Sequence, residues 1–298
     1  MLTYERRGSG PVVVLVPGLG ATRDFFAPVA ADLGRDHTVV AVDLPGHGAT
    51  ALRDGAEPTL RDAAAGLRAV VEKLGLSDIA LVGWSLGATV AWTYLEEYGP
   101  QGVRGLVSCE QTPWLLADGG WEYAAFGSLD AAAAKDLLEQ VRQDPGGFAE
   151  NLVRGSFATG SAPDPDLADD LVRKARRTAP AALTGLLADV LRQDWRERVA
   201  ALRVPTLLVH GARSGVYPPE VGTWLAKTVP GSRLELLEQS GHLCFLEEPD
   251  RFCAAVRGFL VSARHDTAST RHDTASTRHD AASTRHGTPS TRHDTNGR

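Results

Sequence analysis

Gly83, Trp84, Ser85, Leu86 and Gly87 spell GxSxG, directly after the apolar run DIALV and directly before the stretch LGATVAWTYLEEY. In that context the pentapeptide reads as a sharp strand-to-helix turn, with small residues flanking a serine whose hydroxyl is exposed at a helix N-terminus. Such a serine becomes a nucleophile when a general base takes its proton and preorganised N–H donors meet the oxyanion that forms. The chain has nine histidines to supply the base. His242 follows the strand-like run RLELLE in a Gly-containing loop, where it could reach a serine at the tip of another strand. His47 and His210 are its rivals. The stretch HGARSGVYPPE, from His210 to Glu220, follows the apolar run PTLLV and so reads as the loop leaving a buried strand. That loop holds Ser214 but no Asp or Glu between Gly211 and Pro219, so either no carboxylate orients the histidine or the carboxylate sits elsewhere.

The elements that must position these residues alternate along the chain. VVVLV precedes a helix near Asp24 to Leu33, TVVAVDL precedes one over Leu60 to Leu74, and DIALVG precedes one over Leu86 to Tyr98. GLVSC, PTLLVHG and RLELLE follow, with a last helix near Pro249 to Val261. Short apolar strands alternating with amphipathic helices predict a parallel sheet with helices on both faces. Between GLVSC and PTLLVHG lies an insertion with helical patterning and no strand, far longer than an ordinary loop. It is expected to be a helical lid. Its entry carries Trp114, Trp121, Tyr123 and Phe126, which either pack lid helices or line an apolar pocket over the strand ends together with Trp84. From Arg264 the heptad RHDTAST recurs with no Leu, Ile or Val to bury, which excludes a coiled coil and predicts a disordered tail.

Five segments stand in an order that resembles the α/β-hydrolase superfamily over residues 1 to about 262: VPGLG at 16–20, DLPGHG at 43–48, GWSLG at 83–87, PTLLVHG at 205–211 and SGHLCFLEEP at 240–249. The resemblance implies an α/β fold with a mostly parallel sheet, helices on both sides and an inserted helical lid. The expected organisation is a hydrolase core over 1–111 and 201–263, a lid over 112–200 and a tail over 264–298. Carried over residue by residue, it makes Ser85 the nucleophile and His242 the general base. The backbone N–H groups of Leu86 and Leu19 become the oxyanion hole, although many relatives have His-Gly where this chain has Pro17-Gly18. His47 and His210 fall where the family often has HG pairs, with turn and strand-end hydrogen bonding as their roles.

The family usually carries an aspartate where this chain has Ser214. Some relatives, notably one group of haloalkane dehalogenases, carry the acid after the preceding strand instead. That strand is GLVSC here, the next residue is Glu110, and GLVSCEQTPW is similar to the equivalent segment of those enzymes. Glu110 is therefore the candidate acid. Two alternatives stand beside it: Glu110 as a strand-end residue bonding lid backbone, and a Ser–His dyad with Ser214 or water orienting His242. Asp43 belongs to a loop beside the site, while Asp194 and Glu220 fall on helices.

Serine at position 85 argues against the dehalogenase and epoxide hydrolase activities of the superfamily, which use a carboxylate nucleophile. The expected activity is hydrolysis of an ester, lactone or thioester of a small to medium apolar substrate through an acyl-enzyme, with no metal and no organic cofactor. Acyl transfer, cyclisation, lyase or cofactor-free peroxidase chemistry, and non-catalytic ligand binding, are the alternatives. A formal charge of −6 and pI near 5.9 provide no basic stripe for nucleic acid. Cys109, Cys244 and Cys253 show no CxxC pairing, and no apolar run reaches the length of a membrane span. A cytoplasmic protein acting on a small acyl substrate is expected, of unspecified oligomeric state.

Overall fold

The computed structural model describes residues 1–53 and 55–263, and the heptad repeat lies outside the described residues. One sheet takes the strand order β1-β3-β2-β4-β5-β6-β7. Its strands are β1 (Tyr4–Arg7), β2 (Val12–Val16), β3 (Thr38–Val42), β4 (Ile79–Trp84), β5 (Val103–Cys109), β6 (Thr206–Gly211) and β7 (Arg233–Leu237). Only β1 runs antiparallel to its neighbour. Composition explains placement. IALVGW of β4, VRGLVSC of β5 and TLLVHG of β6 are buried at every position, as interior strands covered on both faces must be. YERR of β1 and RLELL of β7 carry charges and partial exposure, which suits the two edges and deters pairing with another chain.

Period-two alternation sends side chains into two cores. Val14, Val16, Val40, Val42 and Leu81 meet α2 (Leu60–Lys73), α3 (Leu86–Tyr98) and α8 (Glu220–Thr228) on one side. Val13, Leu15, Val39, Ala41, Ala80 and Val82 meet α1 (Ala27–Leu33), α9 (Cys244–Glu247) and α10 (249–263) on the other. A capping box between Thr59 and Asp62 starts α2. The helix expected from Asp24 instead begins as a 3-10 turn over Arg23–Phe26, and α1 proper starts at Ala27, with Pro28 in its first turn, where its fixed φ suits a helix.

Between β5 and β6 the chain forms α4 (Ala131–Gln143), α5 (Pro145–Gly155), α6 (Pro165–Ala175) and α7 (Pro180–Leu191). This insert joins both cores: Val141 and Leu186 enter the first, Val153 and Leu171 the second. The C-terminal ends of β4, β5 and β6 open toward it, the place where parallel sheets offer a crevice to ligands.

The turn at the tip of β4 rests on close backbone approach. A Cβ on Gly87 would lie 2.1 Å from the Val16 carbonyl oxygen, and one on Gly83 would lie 2.4 Å from the Gly87 oxygen. Gly87→Ala should therefore force α3 away from β2 and cost about 1–3 kcal/mol, the usual range for overpacking. Urea denaturation of the variant checks this; an unchanged midpoint would contradict it.

Candidate active site

Parallel register brings three polar residues side by side. Trp84 pairs with Cys109 and Cys109 with Val209, so the residues one step further, Ser85, Glu110 and His210, lie abreast at the ends of β4, β5 and β6. The ladder continues through this row, with Ser85 N–H donating to Cys109 O at 2.9 Å and Glu110 N–H to Val209 O at 2.8 Å. Both Ser85 and Glu110 leave it in left-handed backbone, at φ 53° and 49°. Such conformations cost about 1–3 kcal/mol each and persist where the surroundings over-determine them. Their effect is to turn two side chains out of the sheet.

Glu110 is completely buried, yet every carboxylate contact stabilises its charge. Oε1 accepts from Gly211 N–H at 2.8 Å, while Oε2 accepts from Ser214 Oγ at 2.8 Å and meets His242 Nδ1 at 2.7 Å. His210 Nδ1 stands 3.6 Å from Oε1, an electrostatic neighbour at a distance too long for a hydrogen bond. Burial pushes the carboxyl up, but the neighbouring imidazoles of His210 and His242 more than offset it and hold Glu110 at about 2. An ionised carboxylate only accepts, so His242 donates from Nδ1, and in its neutral form the lone pair lies on Nε2. The loop bearing His242 is fixed by Trp84 Nε1, which donates to the His242 carbonyl at 2.8 Å, and by Leu243 N–H, which donates to Ser156 O at 3.1 Å.

The turn after β2 abuts Ser85. A Cβ on Gly18 would fall 3.1 Å from Ser85 Cβ and 3.0 Å from the Trp84 ring, so the turn packs closely on both residues and a larger side chain would have to displace them by a few tenths of an ångström. The N–H groups of Gly20 and Ala21 are committed to His47 Nε2 at 2.9 Å and Gly18 O at 3.2 Å. Leu86 opens α3, where N–H groups have no intrahelical acceptor. His47 is completely buried and its Nδ1 donates to Pro45 O; burial lowers it to about 4, which keeps Nε2 an acceptor for the turn at neutral pH. Asp43 binds Arg23 and the Arg23 and Ala49 N–H groups, so it shapes the neighbouring loop. Asp194 pairs with Arg196, and Glu220 begins α8.

An apolar cavity covers Ser85. Its wall includes Leu19, Trp84, Leu86, His242 and, from the insert, Phe126, Leu137, Phe148, Leu152, Leu187 and Val190. Phe126, at 52% exposure, also faces an outer groove that Gln140, Gln143, Asp144 and Asn151 make polar. The other three aromatics at the insert's entry are engaged elsewhere. Trp114 lies under the Arg196 guanidinium at 3.9 Å, and Trp121 packs edge-to-face on both Tyr123 and Trp224. None of these three is among the residues lining the cavity. Sequence reasoning passed over Tyr217 and Val216, which line it from the loop after β6.

A family model described as alpha/beta hydrolase fold matches residues 11–249, and the chain belongs to that family. A pimeloyl-[acyl-carrier protein] methyl ester esterase of Vibrio parahaemolyticus is 30% identical, covering 87% of this chain and 97% of that protein. A protein of the same description from Neisseria meningitidis serogroup A is 33% identical over 83% of this chain and 76% of its own length. Among solved structures, an esterase from Exiguobacterium antarcticum superposes with TM-score 0.81 at 23% identity, covering 87% of this chain and 95% of that one, which shows a shared fold. Family and relatives together make the chain an esterase-like hydrolase.

The Glu110 environment has a consequence for stability. Its carboxyl moves from 4.5 to about 2 on folding, a depressed folded value, so its contribution is present above pH 4.5 and is lost as pH falls toward 2. The unfolding free-energy difference between the unaltered protein and Glu110→Gln should shrink over that window by on the order of 3 kcal/mol. Denaturation at a series of pH values checks it; a difference that stays constant would show that the carboxylate is not preferentially ionised in the fold.

Proposed function

We propose that the protein hydrolyses a carboxylic ester of a small to medium apolar acyl group through an acyl-enzyme on Ser85. The observation that carries the reading is the 2.7 Å bond from His242 Nδ1 to the buried Glu110 carboxylate, beside the apolar cavity that His242 and Ser85 line. In this reading His242 Nε2 removes the Ser85 proton as Oγ attacks the carbonyl carbon. The oxyanion is met by the N–H groups of Leu19 and Leu86, the second aided by the α3 dipole. Collapse breaks the bond to the leaving oxygen, which takes its proton from His242. Water then repeats the sequence on the acyl-enzyme. Glu110 fixes the tautomer and stabilises the imidazolium without becoming protonated.

The insert acts as a lid that sets the substrate. Leu137, Phe148, Leu152, Leu187 and Val190 enclose an aliphatic or aromatic acyl chain, and the polar groove beyond Phe126 receives whatever extends outward. The relatives are named for a pimeloyl-[acyl-carrier protein] methyl ester; the apolar walls of the cavity favour a carboxylic ester of an apolar acyl chain for this protein, with lactones and thioesters as chemically equivalent substrates. Three free buried thiols suit a reducing, cytoplasmic setting.

The test is kcat/KM on nitrophenyl esters of graded acyl length. Ser85→Ala should abolish turnover, and Glu110→Gln should lower it by about 10⁴-fold while remaining folded, the effect of losing the orienting carboxylate. Activity of Glu110→Gln within a few-fold of the unaltered protein would mean a Ser–His dyad.

A further inference from the structure

Tyr217 has no part in the proposed triad or oxyanion hole, yet it is placed against the reacting groups. It is 4% exposed and lines the cavity beside Ser85. Its ring meets the His242 imidazole edge-on with centroids 5.3 Å apart, and its hydroxyl faces the Ser85 side chain. The backbone beneath it is anchored to the acid. Val216 N–H and Tyr217 N–H reach Ser214 Oγ at 3.3 and 3.4 Å, and that hydroxyl donates to Glu110 Oε2. Phe126 N–H donates to Val216 O at 2.7 Å, which clamps the same loop to the insert. Burial and the Glu110 charge push the phenol well above its ordinary range, so it remains a neutral O–H donor wherever His242 can act as a base.

The geometry also assigns a side of the reacting centre. Leu19 and Leu86 approach Ser85 from the β2 turn and α3, whereas Tyr217 arrives from the β6 side in contact with His242. In a tetrahedral intermediate on Ser85, the oxyanion points to the first pair and the leaving oxygen must point to His242, which protonates it. We propose that Tyr217 is a catalytic residue that donates its hydroxyl hydrogen bond to the leaving oxygen as the intermediate collapses. The bond from the former carbonyl carbon to that oxygen breaks, its electron pair goes to the oxygen, and the proton comes from His242 Nε2. Tyr217 keeps its own proton and disperses the developing charge. A residue needed only for packing has no use for this hydroxyl, since phenylalanine fills the same space.

This inference rests on the hydrolase reading, and the experiment separates the two. The nitrophenyl and ethyl esters of one apolar acid are compared in the unaltered protein, Tyr217→Phe and Ser85→Ala, with kcat/KM reporting acylation. Nitrophenolate leaves without help and ethoxide does not. Tyr217→Phe should lose about 100-fold on the ethyl ester, the effect of one transition-state donor, and change less than a few-fold on the nitrophenyl ester. The retained nitrophenyl rate is the control for a folded site. Equal losses on both esters, or no loss on the ethyl ester, would overturn the role of Tyr217 while leaving Ser85-dependent hydrolysis intact. An unaltered protein that turns over neither ester would overturn both readings.

Discussion

A carboxylate with no solvent exposure is tolerated only when donors surround it, and Glu110 is surrounded. Gly211 N–H, Ser214 Oγ and His242 Nδ1 converge on its two oxygens from three different segments. Each partner is held in turn by the fold: Gly211 ends β6, Ser214 lies in the loop that follows, and His242 follows β7. The single charge therefore fixes the relative positions of the sheet's last strands and of the loops that enclose Ser85.

Register supplies what the charge cannot. Because β4, β5 and β6 are parallel and aligned, one residue beyond each gives a row of Ser85, Glu110 and His210. Turning Ser85 and Glu110 out of that row requires left-handed backbone in two non-glycine residues. The local cost is met by packing on both sheet faces and by close backbone contacts that glycine alone permits, at Gly83 and Gly87. Strain at the tips and density beneath them are two aspects of one design.

Much of this was legible in the sequence. Strand and helix alternation fixed the sheet, and GxSxG between an apolar run and a helix placed Ser85 at a turn. The carboxylate was harder, because its usual position holds Ser214 and only the resemblance of GLVSCEQTPW pointed to Glu110. The structure brings Glu110 to His242 and leaves Ser214 as its hydrogen-bond donor. Aromatic residues were less legible. Trp114, Trp121 and Tyr123 cluster in sequence near Phe126, but cation–π and edge-to-face packing with Arg196 and Trp224, far along the chain, draw them away from the cavity. Tyr217 gave one signal, an aromatic between Gly215 and Pro218 in the loop after a buried strand. No periodicity in a loop reveals which way such a side chain points.

The most direct measurement is the proton NMR spectrum of the protein after Ser85 is labelled with a serine-reactive phosphonate, which mimics the charged intermediate. A far-downfield Nδ1 proton of His242 bound to a carboxylate should be present in the unaltered protein and in Ser214→Ala, and absent in Glu110→Gln. A signal that survives Glu110→Gln would mean that another group holds His242, and the central role given to Glu110 would be wrong.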